Sequence, residues 1–257
     1  MRVESVKDSS NFAAGVSGDG GSEAIAAERR AVGHLASQVR FWLPAAGILG
    51  LDLWSKSAVF HRLDPDEVFT VVPRVMEFRR SLNDGAVFGS FTGYVGVFIA
   101  ASVLALAFVV YLFWCSHARQ RVTHIALGLI LAGALGNLYD RAFMAADIVS
   151  PHSGRHPSII GKLLSDPSDA IVHVGTWPEG AHPQTFARAD VSVRRQGVVR
   201  DFLKFVPKFP AWVPRLGQRD IWPWIFNVAD SALVVGVVLL LLTSICDRGT
   251  RHASQAR

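Results

Sequence analysis

The feature that most constrains this chain is the run FTGYVGVFIAASVLALAFVVYLFW at residues 91–114, which carries no charge. An uncharged stretch of this length exceeds an ordinary core helix, and about 20 such residues at roughly 1.5 Å each cross a bilayer's hydrocarbon. Three further apolar runs accompany it. Residues 41–59 are interrupted by Asp52 and Lys56, residues 122–139 are uncharged, and residues 221–246 hold one charge, Asp230. Hydropathy alone therefore predicts an all-α membrane protein with four transmembrane helices.

Composition agrees. Half of the 257 residues are hydrophobic and only 18% are charged, against about 25% in an ordinary soluble domain. This disfavours a disordered chain, a collagen-like chain and a cytosolic enzyme. Two cysteines, Cys115 and Cys246, exclude a disulfide framework and a four-cysteine zinc site.

The net charge of +5 lies mostly between the apolar runs, which points to membrane orientation and not to nucleic acid. Three segments are basic: the one ending in Arg29, Arg30 and Arg40, the connection with Arg119 and Arg121, and the terminus with Arg248, Arg251 and Arg257. In a four-span chain these share a side, and the positive-inside tendency makes that side the cytoplasm. Both termini are then cytoplasmic. Both cysteines fall at inner ends and are expected as thiols.

Residues 1–40 read as a disordered cytoplasmic tail without a cleavable signal peptide. Residues 41–247 form the membrane domain, and 248–257 a second cytoplasmic tail. The pieces EVFTVVP and VMEFRRSLNDGAVF, within 61–90, predict a small outer-face β cradle. Residues 142–196 are rich in His, Pro, Ser and Gly and show little periodicity, so a long irregular outer-face insertion, peripheral to any chemistry, is expected. Their histidines, His152, His156, His173 and His182, lack metal-ligand spacing and read as solvated. No internal repeat or phosphate-binding glycine motif occurs.

Ionisable residues within spans are expensive and usually mark a site. Asp52 and Lys56 share a helix face at i,i+4 in the outer half of the first run. Asn137 and Arg141 share a face at the outer end of the third. Asn227 and Asp230 share one near the outer end of the fourth. Three helices thus bring polar groups to one depth, toward the outer leaflet. Each has a plainer reading: Asp52 and Lys56 as a structural pair, Arg141 as an interfacial anchor, Asn137 and Asn227 as interhelical hydrogen bonders. Trp222 and Trp224 fit an interfacial belt. Asp230 has no cation within a helical turn, and a functional reading is favoured. A small transporter would use similar residues, but no second half repeats the first. A membrane scaffold leaves Asp230 unexplained.

At these residues the sequence resembles lipoprotein signal peptidase, the signal peptidase II family. Five blocks carry the resemblance in order: DLWSK from Asp52 to Lys56, NDGAVFG from Asn83 through Gly85 to Gly89, GALGNLYDR ending at Arg141, GVVRDF with Asp201, and FNVAD ending at Asp230. The resemblance implies an aspartic endopeptidase with Asp201 and Asp230 as catalytic carboxylates. Asp52, Lys56, Asn83, Gly85, Asn137, Arg141 and Asn227 would hold the site and the substrate.

It also implies cleavage of diacylglyceryl-modified prolipoproteins before the lipidated cysteine, with no metal or other cofactor. The setting would be a bacterial inner membrane, multi-pass, with the active site toward the outer leaflet. Partners would be the prolipoprotein and membrane lipids, not nucleic acid, with the enzyme a monomer. Asp201 follows Arg141 at a longer interval than the family usually shows, and residues 142–196 are the extra material.

Overall fold

A computed structural model of the chain describes residues 30–85, 95–153, 158–166 and 168–255. It contains four long helices: α1 Leu35–Arg62, α2 Val95–Cys115, α3 Arg121–Phe143 and α4 Val228–Gln255. It also contains nine strands: β1 Val68–Val72, β2 Met76–Asn83, β3 Ala145–Pro151, β4 Ile159–Leu163, β5 Ile171–Gly175, β6 Gln184–Ala187, β7 Val191–Gly197, β8 Val199–Phe205 and β9 Ile225–Phe226.

The all-α expectation is therefore wrong. The strands form two antiparallel sheets, ordered β1-β2-β8-β9 and β6-β5-β4-β3-β7. The expectation of four spans is not met either. Among the described residues, two helices are long and apolar enough to cross a membrane, Arg121–Phe143 and Val228–Cys246. α2 is uncharged from Val95 to Cys115, but among the described residues only its part from Ile99 to Cys115 counts toward a span, and α1 holds Asp52 and Lys56 inside it. Hydropathy counted apolar residues without knowing where each helix starts.

The tails differ as well. α1 begins at Leu35, within the stretch read as tail, and α4 continues to Gln255. Residues 1–29, residues 86–89 of the NDGAVFG block, residues 91–94 of the uncharged run and His156 lie outside the described residues.

The helices pack around α3, which touches α1, α2 and α4. One apolar cluster at the ends of α1, α2 and α3 joins Phe41, Ala45, Val109, Phe113, Leu127 and Leu131, with Phe41 stacked on Phe113 at 4.1 Å. At the opposite end Gly136 of α3 admits the other helices closely. A Cβ there would lie 2.5 Å from the Asp52 carboxylate and 3.2 Å from Ala229 Cβ. This close approach brings the polar positions of α1, α3 and α4 together.

Residues 142–196 are not irregular. They hold the second sheet, β3 to β7, around a core of Val149, Val172, Val174 and Val191. Short strands separated by Pro, Gly and Ser are stabilised by partners distant in sequence, so they leave little local period to read. β3 pairs with β7 from Ala145↔Gly197 to Pro151↔Val191. β7 and β8 are separated only by Val198, so the inserted sheet leads straight into the strand that carries Asp201.

Candidate active site

β8 presents Asp201 toward the ends of α1, α3 and α4. Its first neighbour is β2, where Ser81 stands opposite Asp201 and Asn83 opposite Val199. Its second is β9, whose Phe226 stands opposite Leu203. The chain leaves β9 directly into Asn227 and α4, so the sheet sets where that helix begins.

The start of α4 is a reciprocal cap. The Asp230 N–H donates to Asn227 Oδ1 at 2.9 Å, and the Asn227 N–H donates to Asp230 Oδ2 at 3.1 Å. This satisfies two amide donors that a helix N-terminus otherwise leaves unmade. It also fixes the Asn227 amide, whose NH2 must point away from the helix. That NH2 donates to Asp201 Oδ1 at 2.7 Å and to Asn137 Oδ1 at 3.0 Å.

Asn137 is oriented from α1. The Lys56 ammonium only donates, and it reaches Asn137 Oδ1 at 3.3 Å. The Asn137 NH2 therefore faces the other way and donates to Asp230 Oδ1 at 2.7 Å. Asn83 is oriented by a turn. Its Oδ1 accepts the Gly85 N–H at 2.9 Å, and Gly85 has φ +78°, a conformation that favours glycine. The Asn83 NH2 is left to donate to Asp201 Oδ2 at 3.1 Å. Each carboxylate thus accepts two N–H donors, and the path Asp201–Asn227–Asn137–Asp230 joins them.

Behind these groups lies a buried ionic cluster. Lys56 pairs with Asp52 at 2.7 Å and with Asp140 at 3.4 Å, and all three side chains are fully buried. Asp52 also accepts the Ala229 N–H at 2.9 Å, which ties α1 to α4. Asp140 accepts from the Arg200 guanidinium at 2.8 Å and from the Arg200 backbone N–H at 2.9 Å. Two carboxylates and two cations balance inside the cluster, which is what burial demands of charge.

Asp140 and Arg200 are the residues that sequence reasoning missed. Asp140 reads as a partner for adjacent Arg141, but successive helix positions point apart, and it turns to Lys56 and Arg200. Arg200 precedes Asp201 in GVVRDF, so its anchoring also fixes the strand at Asp201. Arg141 instead lies within electrostatic reach of Asp230, Asp201 and Asp140.

Burial pushes the Asp201 carboxyl up to about 7, the nearby charge of Asp230 adds to that, and Asn83, Asn227 and Lys56 oppose it. A carboxyl near neutrality can hold or release a proton at physiological pH. Among the described residues, no cluster of three or more His, Cys, Asp or Glu could hold a metal.

The profile of the family described as Signal peptidase (SPase) II matches residues 45–246. Among curated relatives, a lipoprotein signal peptidase from Rhodopirellula baltica is 31% identical over 207 residues, covering 79% of this chain and 70% of the relative. One from Geobacillus thermodenitrificans is 30% identical over 204 residues, covering 79% and 88%. One from Desulfitobacterium hafniense is 26% identical over 201 residues, covering 78% and 89%. A solved bacterial membrane enzyme matches with TM-score 0.51 at 20% identity, covering 81% of this chain and 88% of that one; this likeness speaks to fold alone. With the profile spanning most of its length, this chain belongs to the signal peptidase II family, and it is a protease.

Proposed function

We propose that this chain is an aspartic endopeptidase that removes the signal peptide from diacylglyceryl-modified prolipoproteins, cutting before the lipidated cysteine. Its family supports the substrate class, since the curated relatives are lipoprotein signal peptidases. The single observation that carries the aspartic chemistry is the bridge from Asp201 through Asn227 and Asn137 to Asp230.

In this reading Asp201, whose carboxyl is pushed up to about 7, holds the shared proton, and Asp230 is the ionised partner. Asp230 takes a proton from water as the water oxygen attacks the scissile carbonyl carbon. The Asp201 proton moves to the carbonyl oxygen as it gains charge. When the C–N bond breaks, Asp230 returns its proton to the leaving amine, and one hydroxyl of the tetrahedral diol gives its proton back to Asp201 as the new carboxyl group forms. Asn83 and Asn227 hold the Asp201 oxygens, and Arg141 supplies positive potential beside both carboxylates. The apparent pKa values belong to the pair.

The setting is a bacterial inner membrane. α3 runs outward and ends at the site, α4 returns from it, and the segment between them faces outward, with both termini in the cytoplasm. A substrate held by its acyl chains then offers its cleavage point near the membrane surface. The enzyme works as a monomer without a cofactor.

The test is cleavage of a lipidated precursor peptide by the purified chain. The wild type is expected to release the signal peptide, and folded Asp230→Asn and Asp201→Asn variants to lose that activity. Normal turnover by either variant refutes the assignment.

A further inference from the structure

β2 does not meet β8 in an even ladder. Phe78 stands opposite Leu203 and Ser81 opposite Asp201, so the register shifts across Arg79 and Arg80. An irregularity of this kind re-aims the side chains that follow it. Asn83, which holds Asp201, follows within the same strand, so whatever fixes Arg80 helps to fix Asn83.

Arg80 is held from the inserted sheet, and its side chain is only 5% exposed. Its guanidinium donates to Leu63 O beyond the end of α1 at 3.0 Å and to Trp177 O. It also reaches the two Glu179 carboxylate oxygens at 3.2 and 3.0 Å, and it lies 5.1 Å from the Phe60 ring centroid. Trp177 meets Phe60 edge-on at 6.0 Å, and its indole N–H donates to Ala145 O at 2.9 Å. A second tie comes from β7. Gln196 Nε2 donates to Asp84 O at 3.1 Å, beside Asn83, and Arg194 stands 3.6 Å from the Asp84 carboxylate.

The packing says the same. Trp177 belongs to one apolar cluster with Leu82, Phe202 and Val228. These residues adjoin Asn83, Asp201 and Asn227. An indole from the insertion therefore packs against the same buried core, Val59, Phe60 and Phe202, as the sequence neighbours of Asn83 and Asn227.

We infer that Trp177 and Glu179 are positioning residues for Asn83 and Asp201, which makes the inserted sheet a working part of the active site. The inference rests on the peptidase reading above. Neither residue touches the carboxylates; both act through Arg80 and the apolar cluster. Releasing them lets Asn83 draw back from Asp201. Asp201 faces Asp230 on α4 and Lys56 on α1, with Arg141 of α3 near both carboxylates. The Asn83 hydrogen bond favours the ionised form of Asp201, so its loss raises the proton affinity further. The alkaline limb of activity should then move to higher pH.

The experiment is a kcat and KM profile against pH for the full purified chain in lipid, with a lipidated precursor peptide as substrate. Trp177→Ala is expected to lower kcat by about tenfold to a hundredfold, with a smaller change in KM and an alkaline limb moved upward. Trp177→Phe keeps a ring against Phe60 and should restore most of kcat and the original limb. Glu179→Gln changes an exposed side chain and should give a smaller loss in the same direction, which keeps the test available if Trp177→Ala does not fold. A folded Trp177→Ala or Glu179→Gln with wild-type kcat and pH profile overturns the inference. So does a fall in kcat with an unmoved profile, which marks ordinary structural damage. Failure of the peptidase reading shows elsewhere, as turnover retained by Asp201→Asn with Trp177 intact.

Discussion

The polar cluster at the ends of α1, α3 and α4 and the inserted sheet β3–β7 both contain paired acids and bases, yet the two regions use them differently. In the cluster, Asp52, Lys56 and Asp140 are fully buried and Arg200 nearly so. Asp52, Lys56 and Asp140 each have more than one partner there, and the Arg200 guanidinium meets Asp140 through two of its nitrogens. In the sheet, Arg195 reaches Asp147 at 4.0 Å with 71% of its side chain exposed. That sheet is held instead by its valine core. The comparison teaches that an ion pair's worth depends on the water it has lost. Removing one partner from a buried pair strands the other, whereas an exposed pair trades its contact for solvent.

The strongest challenge to this contrast is at the carboxylates. Asp201→Asn and Asp230→Asn should each lower turnover by roughly 10⁴-fold, and the double variant should be little worse, because the two act as one unit. Peptide-cleavage kinetics on folded variants check this; independent, multiplying losses would show that the two do not act together.

The next effect is on stability. Asp140→Asn leaves Lys56 and Arg200 facing one buried anion in place of two. It should cost about 3–5 kcal/mol, read as a large drop in the thermal or denaturant midpoint. A change below about 1 kcal/mol would place the cluster in the same class as the exposed pairs.

A third test uses pH. The proton on Asp201 is lost as pH rises through about 7. If that proton is needed, activity falls on the alkaline side, by about tenfold for each further pH unit. A rate that stays level well above neutrality would assign the proton elsewhere.

The smallest effect belongs to the sheet. Arg195→Ala should change stability by less than about 1 kcal/mol and leave cleavage unchanged. A larger loss would mean that the sheet's surface charges contribute as the buried ones do.

Several parts of the site were legible because they are local. The i,i+4 spacing of Asp52 and Lys56 predicts a shared face, and the two meet at 2.7 Å. Asn227 and Asp230 at i,i+3 form the helix cap. The β-prone pieces of 61–90 lie where β1 and β2 occur. By contrast, the second sheet left no periodic trace, and neither the bond from Asp140 to Arg200 nor that from Arg80 to Glu179 has a local signature. Each joins positions whose closeness depends on several elements packing at once.

The sequence by itself determined the residue types at the site, the apolar character of the helices and the family to which the five blocks point. Only the tertiary structure decided which way the amides of Asn83, Asn137 and Asn227 face, which cations Asp140 meets and how residues 142–196 fold. Spacing along a helix is set by its fixed geometry and can be read from the chain. Hydrogen-bond direction and cross-strand register are set by partners far away in sequence, and exist only once the helices and sheets have packed together.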